Sequence, residues 1–144
     1  MRTLTIGAVS FDVPEFLDLR DDEGTLVAYP PASDYANVRV SVSTVAKDGK
    51  PSPGAGERIT RSVASKEQRH LHEKNGKVWY SYSQPASDGS TGSTITFWHI
   101  GLGAHTIVIS CFIDSAEGES AMKQRVIDSV IPLIHSFRVD DPSV

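Results

Sequence analysis

The chain is poor in the residues that most often announce chemistry. It has one cysteine, Cys111, in 144 residues, so no internal disulfide can form and nothing calls for an oxidising compartment. Its neighbours Val108, Ile109, Phe112 and Ile113 mark Cys111 as a small buried apolar side chain. A reactive thiolate would need an electropositive, partly open setting. No run of Lys and Arg occurs and the net charge is −4, which argues against the basic stripe of a nucleic-acid footprint. No segment approaches the ~20 apolar residues of a membrane span. The first residues, "MRTLTIGAVSFDVPEF", carry one Arg but neither the apolar stretch of about 7–15 residues nor the cleavage site of a secretory leader. The expected compartment is therefore the cytoplasm. No G-x-S-x-G elbow is present. Gly101-Leu102-Gly103 lacks the third glycine and following helix of a dinucleotide fingerprint, and reads as a turn.

What is there describes an ordinary soluble domain, 39% hydrophobic and 22% charged, and the length fits a single domain over residues 1–144 with a sizeable core. "TLTIG", "VSFDV", "TLVAYP" and "NVRVSVSTV" read as strands. The last alternates cleanly, Val38, Val40 and Val42 against Arg39, Ser41 and Ser43. "KDGKPSPGAG" is a loop, and a helix is predicted over residues 57–67, with Ile59 and Val63 as a thin apolar stripe. Asn75-Gly76 is a type I′ hairpin signal that sets His72 opposite Trp79. "STITFWHIG" and "AHTIVISCFID" form a second hairpin. Trp98, Ile100, Ile107, Ile109, Cys111 and Ile113 fall on one of its faces, and Ile95, Phe97, Val108 and Phe112 on the other. Strands apolar on both faces belong at the centre of a covered sheet. A final helix is predicted over residues 116–137, capped by Ser115, with Glu117 and Glu119 near its start and Pro132 bending it. Its stripe is Met122, Val126, Val130, Ile134 and Phe137, widened by Ile127 and Ile131. The order β-β-β-β-α-β-β-β-β-α predicts an α+β fold, a mostly antiparallel sheet with one helix on each face, that is, a three-layer α/β/α sandwich.

The phrase "VSFDVPEF", the strand running through "NGKVWYSYS", two long strands and the ending "IPLIHSFRV" together resemble the PsbP-like family. That fold includes the extrinsic PsbP subunit of photosystem II, a nuclear import factor that binds the GTPase Ran, and bacterial proteins associated with type VI secretion. The likeness is a pattern of elements over nearly the whole chain, and Ser136-Phe137-Arg138 is its most specific piece. The family offers no common catalytic motif, so the resemblance implies no enzyme and no catalytic residue. It implies a module that binds another protein, such as a toxin or a secretion component, as an immunity protein or adaptor would.

Two sets of residues are candidates for function. Arg39, on the polar face of its strand, and the acidic turn Asp21-Asp22-Glu23 are the expected partner-binding groups, since arginine is enriched at interfaces and complementary charge speeds association. His70 and His72, two apart beside Trp79, are the alternative, a small-ligand or metal site. A zinc site needs three or four ligands, and no cysteine is near and Glu73 points to the opposite face, so packing of His72 on Trp79 is the simpler expectation. His99 and His105, predicted on opposite faces, cannot ligate together. No cofactor is expected.

Overall fold

The structure, a computed structural model, describes residues 1–31, 35–86, 92–116 and 118–140. Five strands open the chain: β1 (Arg2–Ile6), β2 (Val9–Val13), β3 (Asp18–Asp22), β4 (Thr25–Tyr29) and β5 (Ala36–Thr44). A short pair, β6 (Ala46–Lys47) and β7 (Lys50–Pro51), leads into α1 (Ala55–Lys66). Then come β8 (His72–Lys74), β9 (Lys77–Pro85), β10 (Thr94–Leu102) and β11 (His105–Ile113). Two short helices, α2 (Ser120–Asp128) and α3 (Val130–Ser136), precede β12 (Arg138–Val139).

The main sheet has the order β3-β4-β5-β11-β10-β9-β8, and every pairing in it is antiparallel. One face carries Val38, Val40, Trp79, Ile100, Ile107, Ile109 and Cys111. Val126, Val130, Leu133 and Ile134 of α2 and α3 pack on it, together with Val9, Phe11 and Val13 of the small sheet β1-β2-β12. α1 lies on the other face against β9, β10 and β11. The α+β sandwich expected from the strand pattern is thus present, and the layer opposite α1 is shared between two helices and a second sheet.

Several local expectations are corrected. The Asp21-Asp22-Glu23 segment is exposed as expected but only partly a turn: Asp21 and Asp22 end β3, and Glu23-Gly24, both at positive φ, turn it into β4. Charge on an edge strand hid the strand from hydropathy, and charged edges are how sheets avoid pairing with other chains. α1 does not pack through Ile59, which is 44% exposed. It buries Ala55, Gly56, Thr60 and Ala64, because the helix sits so close to β10 that a Cβ on Gly101 would lie 2.7 Å from the Gly56 carbonyl oxygen.

The β10–β11 turn is Gly103-Ala104, with Leu102 paired to His105, one residue further along than the Leu102-Gly103 turn. Each pairing moves by two residues, so His99 and His105 remain on opposite faces. The terminal helix starts at Ser120, after Gly118, so Ser115 does not cap it; Glu119 holds the cap position. Glu117 and the loop residues 87–91 lie outside the described residues. The bend expected at Pro132 takes the form of a division at Ser129, since the ring removes the bond that residue 132 would donate to the Asp128 carbonyl. Ile127 and Ile131 are 38% and 45% exposed, whereas Leu133 is buried. The buried stripe is therefore narrower than predicted, as befits a helix lying on one sheet.

The two phrases that carried the resemblance meet in space. β12 pairs with β2, Arg138 opposite Ser10 and Val139 opposite Val9. The Ser136 hydroxyl accepts the Asp12 N–H at 2.9 Å and donates to the Leu133 carbonyl at 2.7 Å. Arg138 pairs with the Asp12 carboxylate at 3.3 Å. The Thr3 hydroxyl, 2.8 Å from Asp12, and then the Arg138 guanidinium hold that carboxyl below its usual range.

Candidate functional site

The expected partner-binding residues divide between two sides of the sheet. Along β3 the pleat alternates, so Arg20 and Asp22 lie on the α1 side and Asp21 on the opposite side. Arg39 and Asp22 do come together: Nη1 and Oδ2 are 3.3 Å apart and both side chains are about half exposed. Asp21 turns inward on its own hairpin and accepts the Gly24 N–H at 3.0 Å. Glu23 occupies the turn. Only two of the four residues therefore share a surface.

That surface extends past the end of α1. α1 covers the hairpin end of β9, β10 and β11. From beneath α1 outward, a row of rings stands on β9 and β10. Tyr80 stacks on His99 with centroids 4.9 Å apart and planes at 8°. Tyr82 lies 5.5 Å from His99 and 5.4 Å from Phe97. The Tyr82 hydroxyl and His99 Nε2 are 3.1 Å apart, within hydrogen-bond distance. Arg69, just after α1, places its guanidinium carbon 4.3 Å above the Tyr82 ring, a cation–π contact, and pairs with Glu67 at 3.5 Å.

Burial sets the charge state here. It pushes the His99 imidazole below its ordinary value, against the pull of Glu67, and raises the Tyr80 phenol, with Glu67 adding to the effect. At neutral pH both rings are uncharged, and the formal charges at this end are those of Arg69 and Glu67. Tyr82, Phe97 and His99 are only partly buried. The cluster offers apolar area, a phenol–imidazole contact and a guanidinium, which suits recognition rather than proton transfer. Alternation along β9 puts Tyr80 and Tyr82 on one face but does not bring them beside Phe97 and His99. That juxtaposition follows from the β9–β10 register, Tyr82 opposite Phe97 and Tyr80 opposite His99, and the connection between those strands, residues 86–93, is too long for a two-residue turn signal to fix it.

His70 and His72 stand on the other side of the sheet. Their rings are 4.6 Å apart, and His72 stacks on Trp79 at 5.5 Å, in the predicted register. His135 of α3 meets the opposite part of Trp79 at 5.8 Å. Among the described residues no three His, Cys, Asp or Glu side chains gather as a metal set. Lys77, unnoticed in the sequence, is 4% exposed and donates to the His135 carbonyl at 2.8 Å, closing the last turn of α3. Burial, then Lys74, lowers its ammonium pKa. A hairpin lysine beside Asn75-Gly76 looks solvent-exposed by composition, and only the docking of α3 over it buries it.

No protein-family model matches the chain, and no curated protein matches it. Solved structures do. A crystal structure from Bacteroides thetaiotaomicron VPI-5482 superposes with a TM-score of 0.70 at 14% identity over 97% of this chain, which shows a shared fold. The chain spans about half of that protein, 49% of its length. A solution structure of cyanobacterial PsbP (CyanoP) from Synechocystis sp. PCC 6803 overlaps with a TM-score of 0.49 at 14% identity, over 92% of this chain and 86% of that one. That overlap is too loose to argue from.

Proposed function

We propose that this chain is a protein-binding module without catalytic activity, and that its partner docks on the sheet face beside α1. One observation carries the reading. Partly buried Tyr82, Phe97 and His99 lie side by side on that face with Arg69 over Tyr82, and the Arg39–Asp22 pair lies on the same face. Aromatic and arginine side chains dominate binding energy at protein interfaces, where a dry centre is ringed by polar groups. Arg69 and Arg39 already hold acidic partners within the chain, so the fitting partner presents an apolar side chain flanked by carboxylates that extend these pairs. The specific form of the proposal, which rests on the resemblance, is a bacterial cytoplasmic immunity protein or adaptor of type VI secretion, with a toxin or secretion component as partner. Among the described residues no helix is long and apolar enough to cross a membrane.

The test is affinity capture from source cells, followed by titration of the purified captured protein against wild type, Arg69→Glu, and Arg39→Glu combined with Asp22→Lys. Truncating or reversing an interface arginine of this kind costs about 2 kcal/mol or more, roughly thirtyfold in Kd. The expected result is weakened binding by folded Arg69→Glu and by the Arg39→Glu, Asp22→Lys pair, a loss that shrinks at high salt, and wild-type affinity for a Lys50→Glu control on β7. A captured partner that binds Arg69→Glu as tightly as wild type overturns the reading.

A further inference from the structure

A cleft opens on the side of the sheet away from α1. Where β1 and β2 diverge from the β3–β4 hairpin, a cleft of about 330 Å³ remains. Leu4, Ile6, Phe11 and Leu26 wall it, and Asp21 with Gly24 stands at one side. Phe11 is fully buried, whereas Leu4, Ile6 and Leu26 keep part of their surface open. This volume is at the lower end of small-ligand sites, which run about 300–1,000 Å³ and combine apolar walls with a few polar groups that fix orientation.

The lining decides what fits. Among the described lining residues Asp21 is the only charged side chain. Its Oδ1 is held by the Gly24 N–H at 3.0 Å, which fixes the rotamer. No other side chain among the described residues bonds the carboxylate. Asp22, the next residue, points to the opposite side of the sheet and is paired with Arg39, so the charge at the cleft is that of Asp21. Among the described lining residues no cation faces Asp21, so an anionic ligand would meet its carboxylate uncompensated, and a neutral apolar ligand would leave the carboxylate unused. We propose that the cleft binds a small amphiphilic cation, an alkyl or arylalkyl chain carrying an ammonium group. The apolar body lies between Leu4, Ile6, Phe11 and Leu26, and the ammonium sits at Asp21. The cleft is across the sheet from the docking face, so this proposal does not rest on that reading.

Hexylamine, octylamine, octanol and octanoate are suitable probes, followed by methyl NMR of the whole chain. Octylamine is expected to shift the Leu4, Ile6 and Leu26 methyl signals saturably. Each methylene that enters the cleft should tighten binding about fourfold, so octylamine should exceed hexylamine. Asp21 is exposed, so its ion pair is weak: Asp21→Asn, which keeps the acceptor for Gly24, should weaken octylamine about two- to fivefold and leave octanol unchanged. Octanoate should bind more weakly than octanol. Equal binding of octanoate and octylamine, no effect of Asp21→Asn on octylamine, or shifts that spread over the surface without saturating would each overturn the assignment.

Discussion

Phe137 lies against Phe11 with ring centroids 4.9 Å apart and planes tilted by 35°. The contact joins the residue that ends α3 to the middle of β2. Both rings are essentially inaccessible, at 2% and 0% exposure. Around them the Ser136–Asp12 and Arg138–Asp12 bonds tie the same two segments. This junction is what fastens the small sheet and α3 into one layer.

Phe137→Ala should therefore cost about 3–5 kcal/mol, the range for removing a buried aromatic ring. That is a large share of a typical total of about 5–15 kcal/mol. Phe137→Leu should cost less, and Arg138→Ala, on an exposed pair, about 0–1 kcal/mol. Urea unfolding of the three variants checks the order. Equal loss from Phe137→Ala and Arg138→Ala would show that the ring contact is not what holds the junction.

A second junction depends on missing atoms. A Cβ on Gly101 would lie 2.7 Å from the Gly56 carbonyl oxygen and 2.8 Å from Thr60 Oγ1, and one on Gly56 would fall onto the His105 backbone. Backbone cannot yield as a side chain tip can, so α1 would have to lift. Gly101→Ala is expected to destabilise by about 1–3 kcal/mol, the range for overpacking. Because α1 also supports the ring cluster, the His99 and Tyr82 ring signals should shift in its NMR spectrum. An unchanged melting temperature would mean that α1 does not pack on β10 this closely.

How far the sequence could be read follows from where its periodicity was clean. β5, β9, β10 and β11 were legible because their faces alternate, or are apolar on both sides, and Asn75-Gly76 fixes its own register. β3 was hidden because "DLRDD" is charged on both faces. The contact face of α1 was hidden because closeness, not apolar size, selected Gly56, Thr60 and Ala64. Of the expected partner residues, Arg39 and Asp22 meet because both point to the α1 side. Asp21 is turned to the other by the period-two pleat, which cannot be applied to a segment taken as a turn. Tyr82 and Phe97 were each visible, but their contact depends on a strand pairing that no local signal fixes.

His105 gives the fold a dependence on pH. Its ring is 1% exposed, with Nδ1 2.9 Å from Thr44 Oγ1 and Nε2 without a partner among the described residues. Burial holds its pKa below the ordinary imidazole value, and burial lowers His99 and His135 in the same direction. The unfolded chain then binds protons that the folded chain refuses as the pH falls below about 6.5. Stability should be complete above that point and decline as the pH drops toward the folded-state values. Urea midpoints measured between about pH 7.5 and 5.5 should fall, and His105→Gln should flatten part of the slope. A flat profile for the wild type would contradict the buried neutral ring.

Cys111 should be chemically silent in the native state. The thiol is 2% exposed, and burial pushes its pKa up to about 12, so almost no thiolate exists at neutral pH. A chromogenic disulfide reagent should titrate no thiol in the folded protein and one in guanidinium, with a native rate limited by opening of the core. Fast native labelling would place Cys111 outside the β5–β11 core.

The register of α3 can be tested with two adjacent residues. Val130 is fully buried, and an aspartate there would put an unpaired carboxylate into the layer between α3 and the sheet, at a cost of several kcal/mol. Val130→Asp should unfold the protein or send it to aggregates. Ile131 is 45% exposed in the first turn of α3, where a negative charge meets the positive end of the helix dipole. Ile131→Asp should change stability by no more than about 0.5 kcal/mol and improve solubility by removing an exposed apolar side chain. The hydropathy stripe alone counts both residues as core, so the contrast depends on the division at Ser129 and on the angle at which α3 meets β2. If Ile131→Asp costs as much as Val130→Asp, α3 is rotated from this position and the Phe137–Phe11 junction at its end cannot form as described.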